Sequence, residues 1–275
     1  MENNIKLQDI VSKSLFGSIG TIQNEENLSL FIAIAKHNSD FLNAFPRVVY
    51  CLNGNSELIE TSQSLLREFL VTDLSIITAE NLGHTFGTFL LDRSLYTFAD
   101  NYDYDYLWKF SNDVVVTKDI FNKQISPNKG FYYLNNIGYN VFNTYDKAKL
   151  VEVLMDQSFY YPQTNYYIIK NHTKFYPNEE LIYQLKTEYE NIKKENPGIQ
   201  PWHAIDGCDS EHMLAKTVDN NNLSKEHLLS ESSLKTIIGF IWQNNIHDGS
   251  HKNIAYSELG NLCHLHYPNQ NSYLI

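Results

Sequence analysis

Cysteine is scarce in this sequence, and its scarcity limits the kinds of site that the chain can build. The 275 residues include three cysteines, Cys51, Cys208 and Cys263, which lie far apart with no CxxC spacing. This pattern argues against a disulfide framework and against a thiolate zinc site. It is typical of a protein kept in a reducing compartment, so we expect a cytoplasmic location.

Long apolar runs and clusters of basic residues are lacking too. No apolar run approaches the roughly 18 residues of a membrane-spanning helix, and residues 1–6 lack the apolar core of a secretion signal. The formal net charge is −11, so the average surface repels an extended phosphate backbone. We therefore expect no membrane span, and nucleic acid is disfavoured as a partner.

Two phosphate-binding motifs are absent as well. No GxGxxG follows the first predicted strand and no GxxxxGK(S/T) occurs in the chain, which disfavours dinucleotide and P-loop enzymes. Apolar residues make up 43% and charged residues 19% of the chain, an ordinary globular composition. The length suits one large α/β domain, or one domain with an appendage.

What the sequence does contain is an alternation of strand and helix patterns. Apolar, β-prone segments at 14–22, 48–52, 74–78 and 104–118 predict four strands, and an apolar helical periodicity follows each of the first three. Short units of this kind predict a parallel sheet with right-handed crossovers. The predicted fold class is therefore α/β.

The segment 104–118 is the centre of the functional hypothesis. Its two apolar runs flank the polar triplet Ser111-Asn112-Asp113, a pattern that predicts a buried strand ending in an acid. Ligands gather beyond the carboxyl ends of parallel strands, so Asp113 is a candidate for a ligand site. The alternative is a turn in which Asn112 and Asp113 bond their own backbone.

This segment resembles the metal-binding DxD strand of nucleotide-sugar glycosyltransferases with the GT-A fold, in particular those of family 2. The resemblance implies a GT-A-like fold, with a mostly parallel central sheet flanked by helices and an irregular acceptor-side region towards the C-terminus. It also implies that carboxylates hold Mn²⁺ or Mg²⁺ against the diphosphate of the donor. The motif is degenerate, because Ser111 replaces the first acid and only Asp113 can be carried over as a metal ligand.

The resemblance also implies a donor site built from residues that follow the predicted strands. These residues are Thr21, Asn24, Asn53, Asn81, Gly83, His84, Lys109, Ser111, Asn112 and Asp113. Residues 21–26 resemble the first-strand exit that holds the nucleobase, Asn53 lies where the family often places a base contact, and residues 81–84 resemble the loop over the ribose and diphosphate. Asn and Gly after strands are also common turn residues. Alternation with Phe110 leaves open whether Lys109, a candidate for stabilising the leaving diphosphate, faces the pocket.

The resemblance divides the chain into two halves of one domain. Residues 1–118 form the nucleotide-sugar-binding half, and residues 119–275 form the acceptor-binding and C-terminal half. In the second half, segments 131–134 and 139–142 predict a hairpin or a pair of short strands. Segment 166–170 predicts a strand beside the metal strand.

Three acids, Asp206, Asp209 and Glu211, lie next to a helical pattern at 213–218. They resemble the acceptor-side loop in which inverting members of the family keep a carboxylate base. A carboxylate within hydrogen-bond reach can take the proton of an attacking hydroxyl. The resemblance favours Asp209 as that base, with Asp206 and Glu211 behind it. The alternative is a helix cap formed by Asp209.

Two histidines near the C-terminus, His264 and His266, alternate with apolar neighbours. Alternation places both on one face of a strand, a workable spacing for metal ligands. Many GT-A enzymes bring a C-terminal histidine to the same ion as the DxD acid, so the resemblance implies that His264 or His266 joins Asp113. The alternative is that both are packed polar residues.

The resemblance therefore implies a metal-assisted glycosyltransferase, of the hexosyltransferase type, that moves a sugar from a nucleotide-diphosphate sugar to a hydroxyl acceptor such as a saccharide. One alternative is a catalytically silent module that binds nucleotide sugars. Another is a sugar nucleotidyltransferase on a related sheet. Such enzymes usually carry Arg or Lys in a Gly-rich loop after the first strand, and residues 17–21 contain neither.

Overall fold

A computed structural model describes residues 4–116, 118–135, 162–170, 179–195, 197, 210–228 and 262–264. The strands of the first part are β1 (Ile5–Lys6), β2 (Ser14–Ile22), β3 (Arg47–Gly54), β4 (Asp73–Thr78), β5 (Tyr106–Ser111) and β6 (Val114–Val116). Its helices are α1 (Gln8–Val11), α2 (Glu25–His37), α3 (Ser39–Leu42), α4 (Ser56–Leu66) and α5 (His84–Ala99). The predicted alternation of strand and helix is confirmed.

The later part adds further elements to the fold. They are a 3-10 helix (Lys118–Asn122), β7 (Gln124–Ile125), β8 (Phe131–Asn135), β9 (Pro162–Lys170), α6 (Glu179–Glu195), α7 (Ser210–Asn220), β10 (Lys225–His227) and β11 (Leu262–His264). The predicted strand at 166–170 is confirmed within β9, and the helical pattern at 213–218 is confirmed within α7. The predicted strand at 139–142 lies outside the described residues.

The central sheet has seven strands in the order β10-β8-β9-β5-β2-β3-β4. β9 runs antiparallel to β5 and β8, and the other described pairings in this sheet are parallel. The α/β class with a mostly parallel sheet is thus confirmed, and both halves of the chain contribute strands. We call the end at which β2, β3, β4 and β5 finish the carboxyl end of the sheet, and the opposite end the amino end.

The order in which strands are added to the sheet reverses between β2 and β5. The chain places β3 and then β4 on one side of β2, and it returns to place β5 on the other side. In open α/β sheets, ligands bind outside the carboxyl ends of the strands at such a reversal. The carboxyl ends of β2 and β5 are therefore the first place to look for a site.

Helices cover both faces of the sheet because side chains alternate along its strands. On one face Trp108 and Phe110 pack with residues from α2, α3 and α4. On the other face Leu107 packs with residues from α5, α6 and α7. Trp108 and Leu107 are both fully buried, so β5 lies in the middle of the core and holds its last residues rigidly.

Asparagine side chains begin two of the helices at the carboxyl end. Asn24 Oδ1 accepts a hydrogen bond of 2.9 Å from the amide of Asn27 and caps α2. Asn55 caps α4 in the same way, accepting from the amides of Glu57 and Leu58. Within the described part of the chain, no helix has the length and apolar character needed to cross a bilayer.

Candidate functional site

The ends of β2 and β3 bring two polar side chains together. Thr21 and Asn53 are register partners in the parallel pair, and Thr21 Oγ1 donates a hydrogen bond of 2.6 Å to Asn53 Oδ1. Asn53 is 2% exposed. A buried amide that has been oriented by a neighbouring hydroxyl is well suited to recognise one face of a polar ligand.

The loop between β4 and α5 reaches the same region. Asn81 Oδ1 accepts a hydrogen bond of 3.0 Å from the amide of Gly83, the residue before α5, which has a φ of 88° that favours glycine. The turn interpretation of Asn81 therefore holds for its side-chain oxygen. A Cβ built on Gly87, in the first turn of α5, would lie 3.5 Å from Asn53 Nδ2 and 3.6 Å from Asn81 Oδ1. Asn53 and Asn81 therefore both border the first turn of α5.

The polar triplet after β5 lies against β2. The amide of Asn112 donates a hydrogen bond of 2.8 Å to the carbonyl of Ile19. The Asn112 side chain occupies the space above Gly20, where an added Cβ would come within 2.1 Å of Asn112 Cγ. Only glycine at position 20 leaves room for this amide. The triplet is therefore fixed at the reversal point between β2 and β5.

Asp113 directly follows this fixed amide. Its side chain is half-buried, and its Oδ1 atom is buried. The next residue begins β6, which leaves the central sheet and pairs antiparallel with β11. In that pairing His264 lies opposite Val114, so the histidine strand runs beside the residue that follows Asp113. The side chain of His264 and the whole of His266 lie outside the described residues.

The Lys109 side chain lies on the face of the sheet that α5 covers. It is fully buried, and its Nζ atom lies 3.3 Å from Oδ1 of Asp92, which is also fully buried. Nearby, the hydroxyls of Tyr96 and Tyr167 are 2.7 Å apart. Burial and, after it, the Asp92 carboxylate raise the pKa of Tyr96 well above its ordinary value. Lys109 therefore belongs to a buried polar cluster between the sheet and α5.

Of the three predicted acceptor-side acids, only the backbone of Glu211 lies among the described residues. Asp206 and Asp209 lie outside the described residues. Glu211 belongs to α7, but its side chain lies outside them too, as does that of His84 at the start of α5. Leu223, three residues beyond α7, packs against Gly130 just before β8, with a Cβ built on Gly130 at 3.2 Å from Leu223 Cδ2. α7 therefore ends towards the amino end of the sheet and begins on the carboxyl side.

Two side chains of the triplet carry donor atoms that suit a hard divalent cation. Carboxylate and hydroxyl oxygens, from Asp113 and Ser111, are the ligand types that Mg²⁺ and Mn²⁺ prefer. The described side chains contain no group of three His, Cys, Asp or Glu residues that could hold a metal. A cation bound by these oxygens would complete its coordination with substrate phosphates and water, as Mg²⁺ commonly does.

Two glycines that shape this region were missing from the candidate site residues that the sequence indicated. Gly20 matters because Asn112 lies over it, and Gly87 matters because Asn53 and Asn81 both border it. A glycine near the end of a strand or in the first turn of a helix is an available signal, but it does not say which side chain fills the space.

Comparison with known proteins gives fold-level likenesses only. No protein-family model matches the chain, and no curated protein matches it. Among solved structures, it resembles a galactosyltransferase, LgtC, in complex with donor and acceptor sugar analogs, at 12% identity and a TM-score of 0.46, over 92% of this chain and 87% of that one.

Two further solved structures show a similar degree of likeness. A nucleoside-diphosphate-sugar pyrophosphorylase from Vibrio cholerae matches at 12% identity and a TM-score of 0.43, over 78% of this chain and 91% of that one. A mannosyltransferase from S. cerevisiae matches at 13% identity and a TM-score of 0.38, over 68% and 64%. With TM-scores below 0.5, these likenesses carry no conclusion about function.

Proposed function

We propose that this chain is a metal-assisted glycosyltransferase that moves a sugar, such as a hexose, from a nucleotide-diphosphate sugar to a hydroxyl group of a saccharide or another acceptor. The observation that carries the proposal is the meeting of Thr21, Asn53 and the triplet 111–113 at the carboxyl end of the sheet, where the strand order reverses. This is where open α/β sheets bind ligands. The resemblance of the triplet to the DxD strand supplies the ligand class.

In this proposal the donor lies along the ends of β2, β3 and β4. Thr21, Asn24 and Asn53 provide hydroxyl and amide groups for the nucleobase and ribose. The loop of Asn81, Gly83 and His84 leads into α5, whose N-terminal amides suit the negative charge of a diphosphate. The 16-residue length of α5 gives it a full helix dipole.

The proposed cation site uses the residues beyond β5. Asp113 holds Mn²⁺ or Mg²⁺, with Ser111 and Asn112 beside it and with His264 or His266 contributed from the C-terminal segment. When bound, such a cation neutralises the charge that develops on the departing diphosphate. Lys109 stabilises the end of β5 next to this site, because its buried ion pair with Asp92 joins β5 to α5.

The proposed base comes from the acceptor-binding half, 119–275, whereas the donor is bound by the half 1–118. Asp209 immediately precedes α7, which begins on the carboxyl side of the sheet, and Asp206 and Glu211 are the reserve candidates. We expect Asp209→Asn to lower turnover by about 10²–10⁴-fold while donor affinity stays unchanged, since the base acts only on the acceptor proton. Unchanged turnover in this variant would exclude Asp209 as the base.

The direct test of the function is a binding and turnover experiment on the full chain. Calorimetric titration with UDP- and GDP-sugars, with and without Mn²⁺, measures donor binding, and a hydrolysis assay then measures release of the sugar. Metal-dependent binding with turnover supports the proposal. Binding without turnover in either hydrolysis or transfer indicates a silent binding module. Formation of a nucleotide sugar from a nucleoside triphosphate and a sugar phosphate indicates a nucleotidyltransferase.

A further inference from the structure

Two asparagines flank the short helix α3 and use their side chains in the same way. Asn38 Nδ2 donates a hydrogen bond of 2.8 Å to the carbonyl of Val114, and Asn38 Oδ1 accepts one of 2.9 Å from the amide of Val116. Asn43 Nδ2 donates to the carbonyl of Phe69 at 3.1 Å, and its Oδ1 accepts from the amide of Val71 at 2.9 Å. Each side-chain amide thus makes the two backbone hydrogen bonds that a neighbouring strand would make.

The two asparagines bind very different parts of the chain. Asn43 binds the segment that leads into β4, at the amino end of the sheet. Asn38, which is 6% exposed, binds β6, the strand that begins immediately after Asp113. The carbonyl of Val114 and the amide of Val116 point to the same edge of β6, because peptide groups two residues apart in a strand face the same way. The Asn38 side chain bonds to both groups at that edge, and β11 pairs along the other edge.

Asp113 is therefore held between two fixed peptide groups. On its N-terminal side, the Asn112 amide is bonded to the carbonyl of Ile19 in β2 at 2.8 Å. On its C-terminal side, the Val114 carbonyl is bonded to Asn38 at 2.8 Å. Val115 packs against Ile34 of α2, which keeps β6 beside that helix. The position of the Asp113 backbone thus depends on both contacts.

We propose that Asn38 is the residue that positions Asp113 for the cation, by fixing β6 directly behind it. This inference rests on the proposed function, because it assigns Asn38 a role at the proposed cation site. A ligating carboxylate must be held to within about 0.5 Å, which requires supporting hydrogen bonds around it. Loss of such outer partners typically lowers metal affinity by about 10–100-fold.

The test compares Asn38→Ala with the matched variant Asn43→Ala in the full chain. Mn²⁺ is titrated in the presence of UDP and, separately, GDP, and free Mn²⁺ is followed by electron paramagnetic resonance. We expect Asn38→Ala to weaken nucleotide-dependent Mn²⁺ binding by about 10–100-fold. Asn43→Ala should keep wild-type affinity. Both variants should lower Tm, and Asn38→Ala should lower it more, because the backbone partners of Asn38 are buried whereas those of Asn43 are part-buried and exposed.

A second measurement separates positioning from general loosening of the fold. Titration of UDP and GDP in the presence of EDTA reports only the metal-independent contacts, and there both variants should match the wild type. If Asn38→Ala does not fold, Asn38→Ser and Asn43→Ser, which retain a shorter hydroxyl, replace the alanine pair. Equal Mn²⁺ affinity in the Asn38 and Asn43 variants overturns the role of Asn38. Absence of nucleotide-dependent Mn²⁺ binding in the wild type overturns the proposed function instead, and the inference with it.

Discussion

Two polar side chains at the amino end of the central sheet bond to backbone groups, whereas two at the carboxyl end bond to another side chain or lie over a glycine. Thr72 Oγ1 donates to the carbonyl of Phe45 at 2.6 Å, and Asn43 bonds to the segment before β4. At the opposite end Thr21 bonds to Asn53, and Asn112 lies over Gly20.

This difference distinguishes residues that hold the fold from residues that are suited to a ligand. A side chain bonded to a backbone carbonyl has a partner that cannot turn away, so its role is to join two segments. Two bonded side chains can rotate and offer their groups to a ligand without disrupting a strand. The same residue types therefore serve stability at one end and, in our proposal, donor binding at the other.

The largest change in stability is expected between the two ends, where Lys109 and Asp92 form a fully buried ion pair. Asp92→Ala removes the carboxylate that lies 3.3 Å from the Lys109 ammonium. Removing one partner of a buried pair typically lowers the free energy of unfolding by about 3–5 kcal/mol. Urea denaturation measures this loss. The exposed pair of Lys13 and Asp105, 3.9 Å apart, is the control, and Asp105→Ala should change stability little.

A double variant shows whether Lys109 also contacts the donor. Asp92→Leu combined with Lys109→Met removes both charges, and buried pairs replaced in this way often regain the lost stability. If the double variant is stable and binds donor with Mn²⁺ as the wild type does, Lys109 acts only in the core. Regained stability with lost donor affinity would place Lys109 in contact with the donor.

The largest change in donor binding is expected for Asp113→Ala at the carboxyl end. We expect Mn²⁺-dependent affinity for the nucleotide sugar to fall by more than about 100-fold, or about 2.8 kcal/mol, because the only carboxylate of the triplet is lost. Tm should stay nearly unchanged, since the side chain is only half-buried. Asp73→Ala, which breaks an ion pair with Arg47 at the amino end, should leave binding unaltered. Full activity in a folded Asp113→Ala variant would remove Asp113 from the mechanism.

The sequence predicted the strands of the sheet but not the path of the chain after Asp113. β2, β3, β4 and β5 are long enough to show their apolar pattern, and polar residues at their ends marked the candidate site. Val114, Val115 and Val116 are as β-prone as β5 itself. Their departure to pair with β11 depends on a partner far along the chain, which local pattern does not reveal.

Single polar residues were harder to assign from the sequence than whole elements. An asparagine after a helix indicates a cap, and Asn38 does end α2, but its side-chain partners lie 76 and 78 residues away. The burial of Lys109 likewise depends on Asp92 in a different element. Strands such as β1, β7 and β10, of two or three residues each, are too short to show any period.

Smaller changes in stability and donor affinity are expected from substituting two threonines, one at each end of the sheet. Thr21→Val removes the hydroxyl that orients Asn53, and Thr72→Val removes the hydroxyl bonded to the Phe45 carbonyl, each over 2.6 Å. Both variants should lose about 1 kcal/mol of stability. Only Thr21→Val should also lose donor affinity, by about fivefold, measured calorimetrically with Mn²⁺ present. An equal loss of affinity in both variants would contradict the distinction between the ends.

The smallest change in stability is expected at the amino end of the sheet, when Glu226 in β10 is replaced. Burial raises the pKa of this carboxyl, while the Ser126 amide, which donates to Oε2 at 2.9 Å, and Lys129 lower it. The folded state therefore holds the proton more tightly, so stability falls as pH rises from about 4.5 through the raised pKa.

Glu226→Gln keeps the acceptor for Ser126 without the charge, and its Tm should exceed that of the wild type at pH 8. The gain should vanish near pH 4, and Glu60→Gln, exposed on α4, should show no such gain. A gain that persists unchanged at pH 4 would mean that packing, and not the buried charge, limits stability at this end.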